Sequence, residues 1–502
     1  MEGKKLIEKY TVESDGVTAG VAIWNVLSEN VPVYDLTMPE IGPATEAVMG
    51  EVIDELCKVF PLEIEDVRDP KKLEAIKQGM LTHTKEAVKK MLPNLEEEKV
   101  TMISGIMLHR MIGLGFIELI LADNNIEELA VNAAHLPVHV YHKKYGWCQT
   151  TKSLGSEEET LNFSSQIGRK VGREINSLHP IMDAHLITGD RVASTLFPIT
   201  TAGNTITIRR FSRNPWTIVH LISPEYHTLS VEMAALLWLA LQYELNILVA
   251  GGTASGKTSI LNAISILTPP SHRIISIEDT REITLPKELS NNWVPMTTRN
   301  ANPEGQGEVS MLDLMVSSLR MRPDRIIVGE VRRREQAETL FEAMHTGHSV
   351  YTTLHADTVE QVKRRLVEAP MSIPKTELEA LHLILVQFRD RRKGSRRTLE
   401  MAEVLRGGKD YLETNLLFRW HPRDDKFEKV NASIRLFEDL NLHTGMTGQE
   451  ILHDIKEKQA ILEWMLAQNI KDIGDVGKVM RIYYKDKTPL LEAVKNKKPL
   501  PS

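Results

Sequence analysis

The chain has 502 residues, of which 42% are hydrophobic, 26% charged and 5% aromatic, and a formal net charge of −7. That length exceeds one ordinary core and calls for two to four domains, and so mild a charge argues against a protein whose business is coating nucleic acid. Two distant cysteines, Cys57 and Cys148, exclude a thiolate-built zinc site and fit a reducing compartment better than a disulfide framework.

Met1-Glu2-Gly3-Lys4-Lys5 leads into mixed polar sequence, so no signal peptide is expected. Residues 1–100 read as a charged, mostly helical N-terminal extension. A strand is predicted over Pro32–Leu36, a helix over Thr45–Phe60 with Val48, Val52, Leu56 and Val59 on one face, and another over Lys71–Met91. Residues 101–211 read as a small α/β domain. Met102–Leu121 reads as a helix broken near Gly113 and Gly115, and Val138–His142 alternates as a strand, with Tyr145-Gly146-Trp147 as a turn. A helix over Asn162–Glu174 and strands over Arg191–Leu196 and Thr205–Arg210 follow, with Ala202-Gly203-Asn204 compatible with a hairpin. Residues 212–228, with Pro215 and Pro224, read as a linker. Residues 229–502 then alternate strands with helices, the pattern of a largely parallel sheet covered on both faces. Strands are predicted near 411–418 and 426–431, and helices near 447–466 and 473–482. The best membrane-span candidate, Met233–Ala250, is interrupted by Gln242, Glu244 and Asn246, and reads as a buried helix followed by a buried strand.

Gly251-Gly252-Thr253-Ala254-Ser255-Gly256-Lys257-Thr258 matches the phosphate-loop pattern G-x-x-x-x-G-K-[ST] without a mismatch. It lies between the apolar run Asn246–Ala250 and a helix-compatible segment beginning at Ser259. Such a loop turns backbone N–H groups onto one anion while a helix N-terminus adds its dipole. Lys257 would then neutralise the β- and γ-phosphates of a nucleoside triphosphate, and Thr258 would hold Mg²⁺.

Three further strands carry polar residues toward the same end of such a sheet. Arg273–Ile277 delivers Glu278, Asp279 and Glu282, which read either as a carboxylate set that orients or deprotonates water or as a solvated acidic turn. Arg325–Val328 ends in Gly329-Glu330; glycine stands where an aspartate is usual, so Glu330 is the carboxylate that would act on magnesium through water or on the attacking water. Ser349–Leu354 is bracketed by His345, His348 and His355. These read as a polar sensor strand, as ordinary core histidines or, with no completing ligand evident, as a metal site. Arg191, Arg209 and Arg210 lie on strands of the small domain and could meet charge developing on a γ-phosphoryl group, or be plain surface charges. The basic run Arg389, Arg391, Arg392, Lys393, Arg396 and Arg397 reads as a contact for an acidic partner or as a solvated turn.

Four blocks together, GGTASGKTS at 251–259, IISIEDTREI at 274–283, LRMRPDRIIVGEVR at 319–332 and MHTGHSVYTTLHADT at 344–358, resemble the Walker A, Asp box, Walker B and His box of the secretion ATPase superfamily. That superfamily includes the motors of type II secretion, type IV pili, type IV secretion and the archaellum. Upstream, Asn124–Asn132, GDRVASTLFP at 189–198 and TITIRRF at 205–211 are similar to its N-terminal domain, so the likeness covers about residues 100 to 405. With two cysteines the tetracysteine module of many bacterial members is absent, and NPEGQGEVSMLDLMVSSLRMRPDRIIVGE leans toward the archaeal branch.

The resemblance implies an α/β fold: a RecA-like P-loop core with a C-terminal helical tail, a smaller PAS-like N-terminal domain, and ATP between them in a six-membered ring. It implies the phosphate loop from Gly251 to Ser259 for ATP, Glu278 as the catalytic glutamate, Glu330 and Thr258 around Mg²⁺, and Arg191, Arg209 and the adjacent Arg210 at the γ-phosphate, with His355 from the His box. It further implies a homo-hexamer at the cytoplasmic face of the membrane, acting on a polytopic platform protein without inserting itself. A conjugation-type nucleic-acid translocase and a nucleotide-gated scaffold without turnover are the alternatives.

Overall fold

The computed structural model describes residues 4–59, 70–186, 189–210, 215–301, 305–407 and 412–501. They form two compact units, Met1–Ser212 and Arg213–Ser502. Of the predicted linker, 212–214 lie outside the described residues, as do Phe60 and Phe211 at predicted element ends.

The first unit is built on a nine-stranded sheet. Its strands are β1 (Lys4–Ser14), β2 (Val17–Val26), β3 (Val33–Thr37), β4 (Ile126–Val131), β5 (His139–His142), β6 (Gly146–Thr150), β7 (Ile181–His185), β8 (Arg191–Thr195) and β9 (Thr205–Arg209). Their order across the sheet is β1-β2-β3-β6-β5-β4-β9-β8-β7. The first hundred residues are therefore not a separate helical extension. β1 and β2 form a hairpin about Asp15-Gly16, both with positive φ, and β3 joins β6 in parallel. Alternation places Val17, Ala19, Val21 and Ile23 in the core shared with Leu129, Val140 and Ile208. The tie is also polar: Tyr10 and Tyr34 both donate to the Asp123 carboxylate, at 2.6 and 3.0 Å. Helices Pro43–Val59, Pro70–Met91 and Glu97–Met111 cover this region. A second short helix, Ile117–Ala122, follows the break at Gly113–Gly115. Two further expectations shift: Gly146-Trp147 opens strand β6 rather than forming only a turn, and β8 and β9 are joined by a segment longer than a tight hairpin.

The second unit holds another nine-stranded sheet. Its strands are β10 (Ile247–Gly251), β11 (Ile274–Glu278), β12 (Trp293–Thr297), β13 (Arg325–Val328), β14 (Ser349–Leu354), β15 (Leu383–Arg389), β16 (Arg396–Val404), β17 (Thr414–His421) and β18 (Lys426–Lys429). Their order is β12-β11-β13-β14-β10-β15-β16-β17-β18. The six strands from β12 to β15 are parallel, and β16 to β18 add an antiparallel extension. β10, β11, β13 and β14 are buried along their whole length, as strands covered on both faces must be. Each fully buried Ile, Leu or Val contributes roughly 1.5–3 kcal/mol. This is the RecA-like core.

The apolar segment 233–250 resolves as predicted into a helix, Val231–Gln242, and β10. Ser230 caps the helix, and Glu244 turns the chain at φ 64°. Asn246 supports the turn, donating to Ala380 O and accepting from Val350 N. Among the described residues no helix is long and apolar enough to cross a membrane. The C-terminal helices Gly448–Ala467 and Ile473–Lys485 match the predicted pair, and two others, Arg435–Thr444 and Thr488–Lys495, accompany them. They pack Ile461, Leu462, Met465, Val479 and Met480 against the core around Trp238.

Candidate functional site at the phosphate loop

The carboxyl ends of the parallel strands gather the four sequence blocks in one place, as the order β11-β13-β14-β10 requires. β10 ends at Gly251, whose φ of 154° and crowded surroundings admit only glycine: a Cβ there would run into Ser255 Oγ and the Gln387 carbonyl. Ala254 and Gly256 also have positive φ, at 58° and 94°, and the helix Lys257–Ser265 starts immediately after. The loop thus curls back and aims the helix N-terminus at its own concavity. Ser255 Oγ is buried there with no hydrogen-bond partner, while Thr258 is half-buried and Thr253 and Ser259 are exposed.

Lys257 Nζ donates to the carbonyls of Gly251 and Gly252, each at 3.0 Å, and lies 3.4 Å from His355 Nδ1. Burial lowers its pKa below the usual lysine value, against the opposing pull of Glu330, Glu282 and Asp357. On the other side of His355, Nε2 is 2.9 Å from Glu330 Oε1. The pKa of His355 is lowered by burial first and then by the Lys257 charge. Glu330 Oε2 accepts from Arg332 Nε at 2.7 Å, and Arg332 Nη1 reaches Asp279 Oδ2 at 2.8 Å. Lys257, His355, Glu330, Arg332 and Asp279 therefore follow one another in a polar line across β10, β14, β13 and β11, in which Glu330 Oε1 is near His355 but makes no hydrogen bond.

Glu278 sits in a different setting. It is 2% exposed at the end of β11, where Oε1 accepts from the N–H groups of Glu282 and Ile283 at 2.9 and 3.0 Å. Oε2 is buried without a partner. Burial pushes its pKa up to about 7, although the two backbone donors pull the other way. Gly329, the residue in the usual aspartate position, lies alongside: a Cβ there would sit 3.5 Å from Glu278 Cα and Cγ, an ordinary contact. Sterics do not force the glycine. Its effect is that position 329 adds no carboxylate to the Glu282 charge, which already raises that pKa.

For magnesium, the donor set fits an ion that brings phosphate and water ligands of its own. Among the described residues no cluster of three His, Cys, Asp or Glu could cage a metal. What is present is the Thr258 hydroxyl at the start of its helix and Glu330, already engaged by Arg332 and so suited to act through water.

The other two histidines lie elsewhere. His345 approaches the Glu377 carbonyl and carboxylate, and His348 the Ala343 carbonyl. Of the three arginines predicted in the first unit, Arg191 and Arg209 are direct cross-strand partners on one exposed face. Arg191 makes a two-bond pair with Asp183 at 3.0 and 2.6 Å, and Arg209 faces Glu128. Arg210 alternates to the other side, where Nη1 donates to the carbonyls of Asp123 and Ile126. Its guanidinium tethers the start of β4. Sequence reasoning missed Arg332 as a site residue, and it missed Arg396, whose Nε donates to Ala254 O of the phosphate loop at 3.2 Å. No local pattern could have shown contacts that span 53 and 142 residues.

Residues 187–394 match the family model described as type II/IV secretion system protein. A Mycobacterium tuberculosis protein provisionally named for conjugal transfer is 30% identical over 62% of this chain and 88% of its own. The chain belongs to the type II/IV secretion system protein family. An uncharacterised protein of Methanocaldococcus jannaschii is 34% identical over 76% of this family member and 69% of its own length. Among solved structures, the ATPase DotB of Yersinia pseudotuberculosis aligns at 18% identity over 73% of this chain and 92% of its own, with a TM-score of 0.43.

Proposed function

We propose that this secretion-family chain is an ATP-hydrolysing motor. The observation that carries the reading is Glu278: a buried carboxylate with a pKa near 7, one oxygen fixed by two backbone N–H groups and the other unpartnered, at the same carboxyl end of the parallel sheet as an intact phosphate loop. A general base works best with a pKa close to the operating pH. The fixed oxygen orients the group, which leaves Oε2 to accept the proton of an attacking water.

Lys257 exchanges its two loop carbonyls for the β- and γ-phosphates, and the loop N–H groups from Gly252 to Thr258 bind the polyphosphate. When bound, Mg²⁺ neutralises charge on the β- and γ-oxygens, and Thr258 and Glu330 would hold it. His355 lies between Lys257 and Glu330, so a change of charge at the γ position is felt by Glu330 and, through Arg332, by Asp279 on the neighbouring strand. On the family resemblance, Arg191 and Arg209 add positive charge at the γ-phosphate. The engagement of Arg210 with backbone carbonyls leaves it a supporting part.

The work done is the powering of protein secretion or of a pilus-like or archaellum-like filament. The motor would act as a ring of six copies at the cytoplasmic face of the membrane, on a polytopic platform protein. A nucleic-acid track receives less support, because Arg396 and Arg397 of the basic run turn inward, to Ala254 O and to a two-bond pair with Asp425. The test is phosphate release from ATP by the wild type, Lys257→Ala and Glu278→Gln. Undiminished release in both variants would sink the reading.

A further inference from the structure

Beside the phosphate loop, on the side away from Glu278, opens a cleft of about 750 Å³. Gly252, Thr253, Ser255 and His355 are part of its lining, so it borders the phosphate loop and the histidine beside Lys257. Its walls carry four guanidinium groups: Arg364 and Arg365 from the helix Val359–Val367, Arg389 from the end of β15 and Arg391 from the β15–β16 turn. Among the described residues of the lining, Asp357 is the one carboxylate. The cleft is thus strongly cationic and continuous with the loop. Arg365 Nη1 also donates to the His355 carbonyl, so the inner arginine is tied to the residue between Lys257 and Glu330. Of the others, Arg364 lies 3.7 Å from Glu360 and is 67% exposed, and Arg391 is exposed to solvent.

We propose that this cleft is a binding site for inorganic phosphate, receiving the product as it leaves the loop. The inference rests on the hydrolysis reading. In that reaction water oxygen bonds to the γ-phosphorus, the bond to the β–γ bridging oxygen breaks, and ADP, hydrogen phosphate and one proton result. Near neutral pH the freed phosphate is an anion divided between its singly and doubly charged forms. ADP retains the loop N–H groups and Lys257, so the phosphate anion must move toward other positive charge, and planar guanidinium forks match its oxygens. The cleft supplies four of them next to the phosphate loop. Phosphate held there faces Arg365, and through it His355, so its departure relieves charge next to the line that ends at Asp279.

The test uses the full chain and inorganic phosphate as the probe. Phosphate is titrated as a product inhibitor of ATP turnover and, in a second arm, directly into ADP-loaded protein by calorimetry. The variants are the double substitution Arg389→Gln/Arg391→Gln and, separately, Arg364→Gln. The inhibition constant for phosphate is expected to rise about ten-fold in the double variant, the effect of about 1.4 kcal/mol, with ATP affinity within about two-fold of wild type. Sodium chloride at matched ionic strength controls for charge screening. Unchanged phosphate affinity in both variants overturns the proposal. A parallel loss of ATP affinity also overturns it, because the arginines would then belong to the bound triphosphate. If the double variant does not fold, Arg364→Gln, at an exposed position, decides by the same two constants. If the wild type shows no turnover, the hydrolysis reading fails, whereas the calorimetric arm still reports whether the arginines bind phosphate.

Discussion

The ends of β11 and β13 lie side by side in one sheet, and each carries a glutamate at its carboxyl end, yet the two carboxylates are held in different ways. Glu278 is enclosed by apolar strands, with two backbone donors and a bare oxygen, and its pKa rises to about 7. Glu330 has one oxygen held by the Arg332 guanidinium, and the other, 2.9 Å from His355, makes no hydrogen bond. Desolvation makes the first a proton acceptor near neutrality. The second is suited to holding charge and passing it on. Residue type alone does not separate the two roles; their surroundings do.

The sharpest way to break this contrast is Glu278→Gln, which keeps shape and backbone bonds but removes the base. Turnover should fall by ~10²–10⁴, while nucleotide affinity, measured by titration with a fluorescent ATP analogue, stays within a few-fold. Lys257→Ala is expected to cost ~10²–10³ in turnover, the scale of losing one charged donor to a reacting group, and to weaken nucleotide binding as well. Glu330→Gln should be milder, about 10–100-fold in activity, as for groups that support a metal through water. Its distinguishing signature is a higher magnesium concentration for half-maximal rate. An effect of Glu330→Gln larger than that of Glu278→Gln would invert the assignment.

The smallest effect concerns stability. Glu278 is harder to ionise in the folded chain than in the unfolded one, so the folded state binds the extra proton between the usual glutamate range and about pH 7. Stability should therefore decline as pH rises through that window and level off above it, by up to about 3 kcal/mol for a shift of this size. Denaturant melts at pH 5 and pH 8 should show the decline in wild type and a smaller one in Glu278→Gln. Equal slopes would place the titration elsewhere.

The phosphate loop was legible at once, because its chemistry is local: eight consecutive residues, flanked by an apolar run and a helix. The strands that bear Glu278, Glu330 and His355 were legible as apolar runs, since burial on both faces leaves no alternation to misread. The first unit was harder. β1 (Lys4–Ser14) is an edge strand whose exposed positions carry Lys4, Lys5 and Lys9, so its composition resembles a solvated helix. The available signal was Asp15-Gly16, a hairpin dipeptide between two runs rich in β-branched residues. The different fates of Arg209 and Arg210 follow from strand alternation, but Arg210's carbonyl partners, 84 and 87 residues away, do not. The same holds for Arg332 and Arg396: both are visible as charges, and only the fold brings them to the site.

The most direct measurement of the central claim is the pH dependence of phosphate release at saturating ATP and magnesium, from pH 5.5 to 8.5, for wild type and Glu278→Gln. The account expects wild-type turnover to rise with an apparent pKa near 7 as the Glu278 carboxylate forms, and the variant to be low and flat. A wild-type profile flat across this range, or a variant that keeps both the rate and the rise, would contradict it.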